Sequence, residues 1–232
     1  MAIISLGNFY GIDSLIDLLI VIVSFLVFFQ ARKIYLISKK KSFNFFSVSF
    51  LMIGISFFFK TLANLTELYE VNFSHPNTLV SVFSSLGHIE LIHFVSFLLF
   101  KFFLVCGFLS LLLIFSRSKS ASETFIFFYL GLVSIIFSVF YNFIFHLTLI
   151  LVVSAICLYF YKRYKENRSR LTFNLFVAFF FIFISNLISL FTHVDLIVYL
   201  ISEIIMFFAF GIILYVHLRI KNGKEKIKVR HY

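Results

Sequence analysis

Eighteen of the twenty Lys and Arg residues lie in four short clusters, Arg32 to Lys41, Arg117 to Lys119, Lys162 to Arg170 and Arg219 to Arg230, with long apolar stretches between them. Every second gap between apolar segments is basic, and the gaps in between are acidic or carry histidine. Short basic loops stay cytoplasmic when a chain is threaded into a bilayer, so this alternation reads as repeated crossings in alternating direction. It predicts an all-α integral membrane protein of seven transmembrane helices, N-out/C-in, placed as a multi-pass protein in the cell membrane.

Composition agrees. With 62% hydrophobic residues in 232 positions, the chain has too little polar surface to coat a soluble globule. Each crossing takes about 20 apolar residues, so seven use about 140 and leave only short loops. The net charge of +10 could suggest nucleic acid. Its distribution argues instead for the lipid bilayer as partner, because basic residues beside helix ends meet anionic headgroups. Phe is the commonest residue, at 38 copies, and Trp is absent. The Phe excess is read mainly as filling of lipid-facing positions, and Tyr10, Tyr141, Tyr35, Tyr159, Tyr161, Tyr164 and Tyr215 as the interfacial belt. Cys106 and Cys157 fall within helices, so no disulfide framework is expected. The first 25 residues carry Asp13 and Asp17 but no Lys or Arg. They lack the basic start of a signal peptide, and the first helix is expected to be retained.

The expected spans are about 12–31, 43–62, 88–115, 124–141, 142–161, 172–191 and 197–218, placed by their flanks. A long outer connection covers 63–87, with Asn64, Glu67, Glu70, Asn72, His75, the sole proline Pro76 and Asn77, and residues 220–232 form a basic cytoplasmic tail. Sliding Leu18–Lys60 onto Thr148–Leu190 gives eight identities in 43 positions: Leu19/Leu149, Ile20/Ile150, Val23/Val153, Ser24/Ser154, Phe43/Phe173, Asn44/Asn174, Phe46/Phe176 and Phe50/Phe180. Roughly four would arise by chance, so the repeat is weak. Phe103/Phe207 and Gly107/Gly211 extend it. The chain is thus read as one domain, 1–232, with a weak parallel 3+1+3 internal repeat: about 12–116, a linker helix about 124–141, and about 142–219.

This layout resembles two families as topology: the PQ-loop and SWEET carriers of sugars and amino acids, and the rhodopsin-like seven-helix proteins. The chain has no Pro-Gln dipeptide and no proline within a helix, and helix 7 lacks the lysine of a retinal Schiff base. Neither family's functional residues are carried over.

An ionisable side chain at a helix centre costs about 2.5–3.5 kcal/mol on insertion scales and therefore marks a site. Counted from the basic ends, Lys101, Glu203, Asp17, His146 and Asn186 fall in one layer in the outer third of the membrane, and Lys60 ends helix 2 at the outer surface. The inner half offers only serines and the cysteines. The layer is expected to form an outward-facing cavity for a small polar or zwitterionic solute, Lys101 holding an anionic group and Glu203 or Asp17 a cationic one. The structural alternative is a Lys101–Glu203 pair across the bundle, with snorkelling of Lys101 to the outer headgroups as a second.

A second constellation is outermost: His88, Glu90 and His93, with His193 and Asp195 in the last outer loop. Imidazole with carboxylate suits a divalent transition metal. Glu90 and His93 would share a helix face, whereas His88 points about 140° away from His93. Interfacial solvation explains these residues as well, Asp195 serves as a helix-start residue, and no cofactor is otherwise expected. No HExxH motif, glycine-rich phosphate loop or nucleophile elbow occurs.

The functional expectation is a small-solute transporter or facilitator. The alternatives are a seven-helix receptor or sensor acting through a separate cytoplasmic partner on the basic loops, and a metal-dependent membrane enzyme.

Overall fold

The computed structural model describes residues 11–72, 89–116, 121–191 and 196–221. These residues form seven helices: α1 (Ile12–Ser38), α2 (Lys41–Asn72), α3 (Ile89–Ser116), α4 (Ala121–Ser138), α5 (Asn142–Asn167), α6 (Arg170–Ser189) and α7 (Leu196–Lys221). Among them all but α4 are long and apolar enough to cross a bilayer. The protein is an all-helical, multi-pass membrane protein.

α1 turns a polar stripe inward. On α1, Ser14, Asp17, Val21, Ser24, Val27 and Ala31 are buried at spacings of three and four, while Leu15, Leu18, Ile22, Leu26 and Phe29 are exposed. An outer apolar face suits hydrocarbon, and small or hydroxylated inner residues let helices approach closely. Ser24 of α1 accordingly lies over Gly54 of α2, where an added Cβ would stand 3.3 Å from the Ser24 Cβ.

Six helices close into a ring, α1–α2–α3–α5–α6–α7 and back to α1, and α4 packs outside it against α3 and α5. Neighbours along the chain run antiparallel. The turns between α1 and α2 and between α5 and α6 therefore share one end of the bundle with the C-termini of α3 and α7. The Arg32 to Lys41 and Lys162 to Arg170 clusters lie at that basic end, and the last cluster begins there at Arg219. Its two described turns are built alike: the backbone N–H of Lys39 donates to Tyr35 O, and that of Arg168 to Tyr164 O, both at 2.7 Å. Lys39 and Arg168 are left-handed, with φ of 55° and 45°. Both turns stop a helix with an αL residue whose positive charge suits the helix C-terminus.

Several boundaries differ from the sequence reading. α2 runs to Asn72, so 63–72 is helix and not loop, and α1 and α5 continue through their basic flanks to Ser38 and Asn167. Helical hydrogen bonding persists where a charged flank can reach the headgroup layer without unwinding. α4 spans 121–138, not 124–141. His75, Pro76, Asn77, His88, His193, Asp195, Tyr10 and the tail lie outside the described residues, as do the side chains of Glu67, Glu70 and Glu90. Phe serves both the outer face and the core. Phe50, Phe57, Phe108, Phe145, Phe179 and Phe210 are among the largest fully buried side chains, alongside exposed Phe29, Phe58 and Phe140. Cys106 and Cys157 are buried free thiols.

The paired glycines have different surroundings. A Cβ at Gly107 would meet Ile53 Cγ1 at 2.7 Å and the Ser49 carbonyl at 3.1 Å, because α2 and α3 touch there. At Gly211 nothing lies within 4 Å. Gly107→Ala should lower stability by about 1–3 kcal/mol through overpacking. Gly211→Ala should be neutral or raise stability by up to about 1 kcal/mol through helix propensity. Thermal unfolding of the two purified variants in detergent checks both.

Candidate functional site

The centre of the polar layer is a lysine between two carboxylates. Lys60 Nζ of α2 lies 3.0 Å from Asp17 Oδ1 of α1 and 2.6 Å from Glu203 Oε1 of α7. Asn64, one turn beyond Lys60, donates Nδ2 to the second oxygen of Asp17 at 3.0 Å. The triad is enclosed: Asp17, Lys60 and Glu203 are 0%, 7% and 8% exposed. The rings of Phe57, Phe100 and Tyr199 stand 5.6, 5.9 and 5.6 Å from the ammonium and offer it π faces.

Local sequence explains the convergence. Ser49, Ile53, Ser56, Lys60 and Asn64 recur at spacings of three and four on α2, one face of a 3.6-residue helix. That face meets α1 and α3. Lys60 is therefore not at the surface. It sits about 9 Å inside the Thr66 end of the α2 span, at 1.5 Å per residue. Nor is Asp17 solvated at a rim, since Lys60 and Asn64 occupy both its oxygens.

The triad formally holds one negative charge more than positive. Asp17 has a partner on each oxygen, but Glu203 Oε2 is buried without a hydrogen-bond partner among the described residues. Ser14 Oγ, one turn from Asp17 on the same face, is likewise buried and unpartnered. An unmet carboxylate oxygen in a low-dielectric interior is costly, and it is satisfied by a cation or a hydrogen-bond donor.

Lys101 does not belong to this cluster and does not pair with Glu203. Its Nζ donates to Ser138 O at the C-terminus of α4, at 3.0 Å, over the Phe97 ring at 4.2 Å. It is 2% exposed, so it does not snorkel into water. A third group completes the layer: His146 Nδ1 of α5 lies 3.4 Å from Asn186 Oδ1 of α6. Asn186 also donates Nδ2 to Ile182 O, and neighbouring Ser185 Oγ donates to Ser202 O, beside Glu203. Edge-to-face contacts of Phe57 with Phe100 and of Phe100 with Phe145 connect the triad to the Lys101 side.

Of the outer histidine set, His93 is held by α2, its Nδ1 3.2 Å from both Thr66 Oγ1 and Ala63 O. Among the described residues no three His, Cys, Asp or Glu side chains converge as metal ligands. His88 and His193 lie outside the described residues, and so does the Glu90 side chain.

Sequence reasoning missed Lys60, Asn64, Tyr199 and His217. The signal for Lys60 was available, because Lys60 and Lys101 are the two cations outside the basic clusters. His217 belongs to the basic end, where it is buried, stacks on Phe46 at 5.4 Å and contacts Ile213 O through Nδ1. The half of the bundle toward the basic end is thus not limited to serines and cysteines.

No family model matches the chain, and no curated protein or solved structure is similar to it.

Proposed function

We propose that the protein is a small-solute transporter or facilitator of the cell membrane, with seven crossings, its N-terminus outside and its basic end in the cytoplasm. The solute is small and polar and carries a cationic group, as an amine or a zwitterion does. The carrying observation is the excess carboxylate of the Asp17–Lys60–Glu203 triad, with Glu203 Oε2 unpartnered beside it. Buried ionisable groups in membrane helices mark solute and ion paths, and an ammonium donor would meet both the charge and the hydrogen-bond deficit. His146 and Asn186 supply neutral polar contacts in the same layer for the rest of the molecule. Lys101, engaged with α4, plays no part in holding the solute's anionic end. The matching turns at Lys39 and Arg168 support descent of α1–α3 and α5–α7 from one repeat, with α4 as linker.

One observation favours a sensor as the second reading. Toward the basic end, the triad is followed by the Phe57–Phe210 ring pair, and then by Phe50 against His217. A solute could bind above this aromatic plug and signal through it to a separate cytoplasmic partner.

A thermal-shift panel of the purified protein tests the site. At 100 times its dissociation constant a ligand stabilises by about 2.7 kcal/mol. Alkylamines or amino acids should raise the transition of the wild type, whereas uncharged sugars should not. Stabilisation by sugars with no response to any amine would reject the cationic-group requirement.

A further inference from the structure

α4 stops short of its neighbours, and the space above its end is a second site, independent of the triad. The helix ends at Ser138, where it meets Lys101, ten residues past the start of the α3 span at Leu91. At 1.5 Å per residue that is about 15 Å along α3 from Leu91. The last carbonyls of α4 are met within the protein. Ser138 Oγ donates to Ile135 O, the N–H of Val139 to Ile136 O, and those of Phe140 and Tyr141 to Phe137 O. Lys101 Nζ donates to the last one, Ser138 O.

Beyond this end lies the α3 face of Phe94, Phe97, Leu98 and Lys101. It walls a cavity of about 370 Å³, floored by Ser138 and the 139–143 turn. From Phe94 to Lys101 the slot is about 10 Å long at 1.5 Å per residue. Its volume falls within the usual range of small-molecule sites, about 300–1,000 Å³. Phe94, Val139, Phe140 and Phe143 in its lining are also exposed on the outer surface of the bundle, so it opens sideways toward lipid.

Two polar features interrupt this apolar lining. Lys101 is a buried cation with no carboxylate within 4.0 Å among the described residues. One carbonyl accepts from its ammonium, leaving further donor capacity. Asn142 Oδ1 is buried and without a hydrogen-bond partner among the described residues. Apolar walls with a single unbalanced ammonium match an oxyanion carried on a hydrocarbon body.

We infer that the slot between α3 and the α4–α5 turn binds the anionic headgroup of a membrane lipid, its oxyanion on Lys101 Nζ, a hydroxyl of the headgroup on Asn142, and its acyl chains along the exposed phenylalanines. The lipid fills the space that α4 leaves open and holds the short helix to the ring.

Native mass spectrometry tests this on full-length protein equilibrated with equal amounts of phosphatidylglycerol and phosphatidylcholine, with inorganic phosphate as the free oxyanion in a separate arm. The basic loops are common to all variants, so differences between variants report the slot. Wild type should retain phosphatidylglycerol at least tenfold over phosphatidylcholine, and phosphate up to 10 mM should not displace it. Lys101→Met should reduce the preference to near parity. Leu98→Trp, which fills the slot and leaves the Lys101–Ser138 contact in place, should do the same, so the test stands even if Lys101→Met fails to fold. Equal retention of both lipids by wild type, or an unchanged preference in Leu98→Trp, would overturn the inference. Displacement by inorganic phosphate would assign the site to a soluble anion and overturn the lipid claim.

Discussion

Lys60→Met should lower the unfolding free energy by about 3–5 kcal/mol, the largest loss expected from any single side chain in the bundle. The substitution leaves Asp17 and Glu203 facing each other across a dry junction with no cation between them. Their separation is set by a lysine that contacts both, at 3.0 and 2.6 Å. Replacing all three groups together, as Asp17→Asn, Lys60→Met and Glu203→Gln, removes the uncompensated charges and should restore most of the loss. Thermal unfolding in detergent, with urea or SDS titration as a second probe, measures both. A Lys60→Met protein as stable as wild type would mean that the ion pairs do not hold α1, α2 and α7 together.

Glu203→Gln should behave in the opposite way. In a balanced buried pair, loss of either partner is destabilising. Here two carboxylates share one ammonium, so removal of Glu203's charge leaves a balanced Asp17–Lys60 pair with Asn64 still on Asp17. Stability should hold within about 1 kcal/mol or rise, since one uncompensated buried charge is gone. Asp17→Asn should be the worse of the two neutralisations, because both Asp17 oxygens are bonded and one Glu203 oxygen is not. Binding should move the other way. Loss of an ion pair to the solute's ammonium should weaken amine affinity by one to three orders of magnitude, the equivalent of about 1.4–4.2 kcal/mol. A Glu203→Gln variant that is stable and still answers amines at wild-type concentrations would remove Glu203 from the site.

The spacing of charged clusters was enough to reveal long apolar helices, because hydrocarbon thickness and loop charge act on each segment separately. Helix ends were less legible. Lys39 and Arg168 close their helices in the left-handed region without glycine, so no residue signalled the stop. α2 continues past the polar residues 63–72 that composition had marked as loop.

Partnership within the site was not legible. Lys101, Glu203, Asp17, His146 and Asn186 could be ranked by distance from the basic ends, but which ammonium faces which carboxylate depends on the rotation of each helix. Two lysines stood outside the clusters, and the one taken for a surface residue, Lys60, turned out to face Glu203. Lys101 was turned toward α4 by a helix terminus, a backbone charge that no residue type announces.

The central claim is transport through the Glu203 layer, and uptake into proteoliposomes tests it most directly. Wild type and Glu203→Gln are reconstituted at equal density, and entry of the radiolabelled amine or amino acid that stabilises the purified protein is followed in time. Saturable accumulation by wild type, falling to the protein-free level with a folded Glu203→Gln, is the predicted result. Binding without any accumulation above protein-free vesicles would contradict transport, and equal uptake by the two proteins would contradict the role of Glu203.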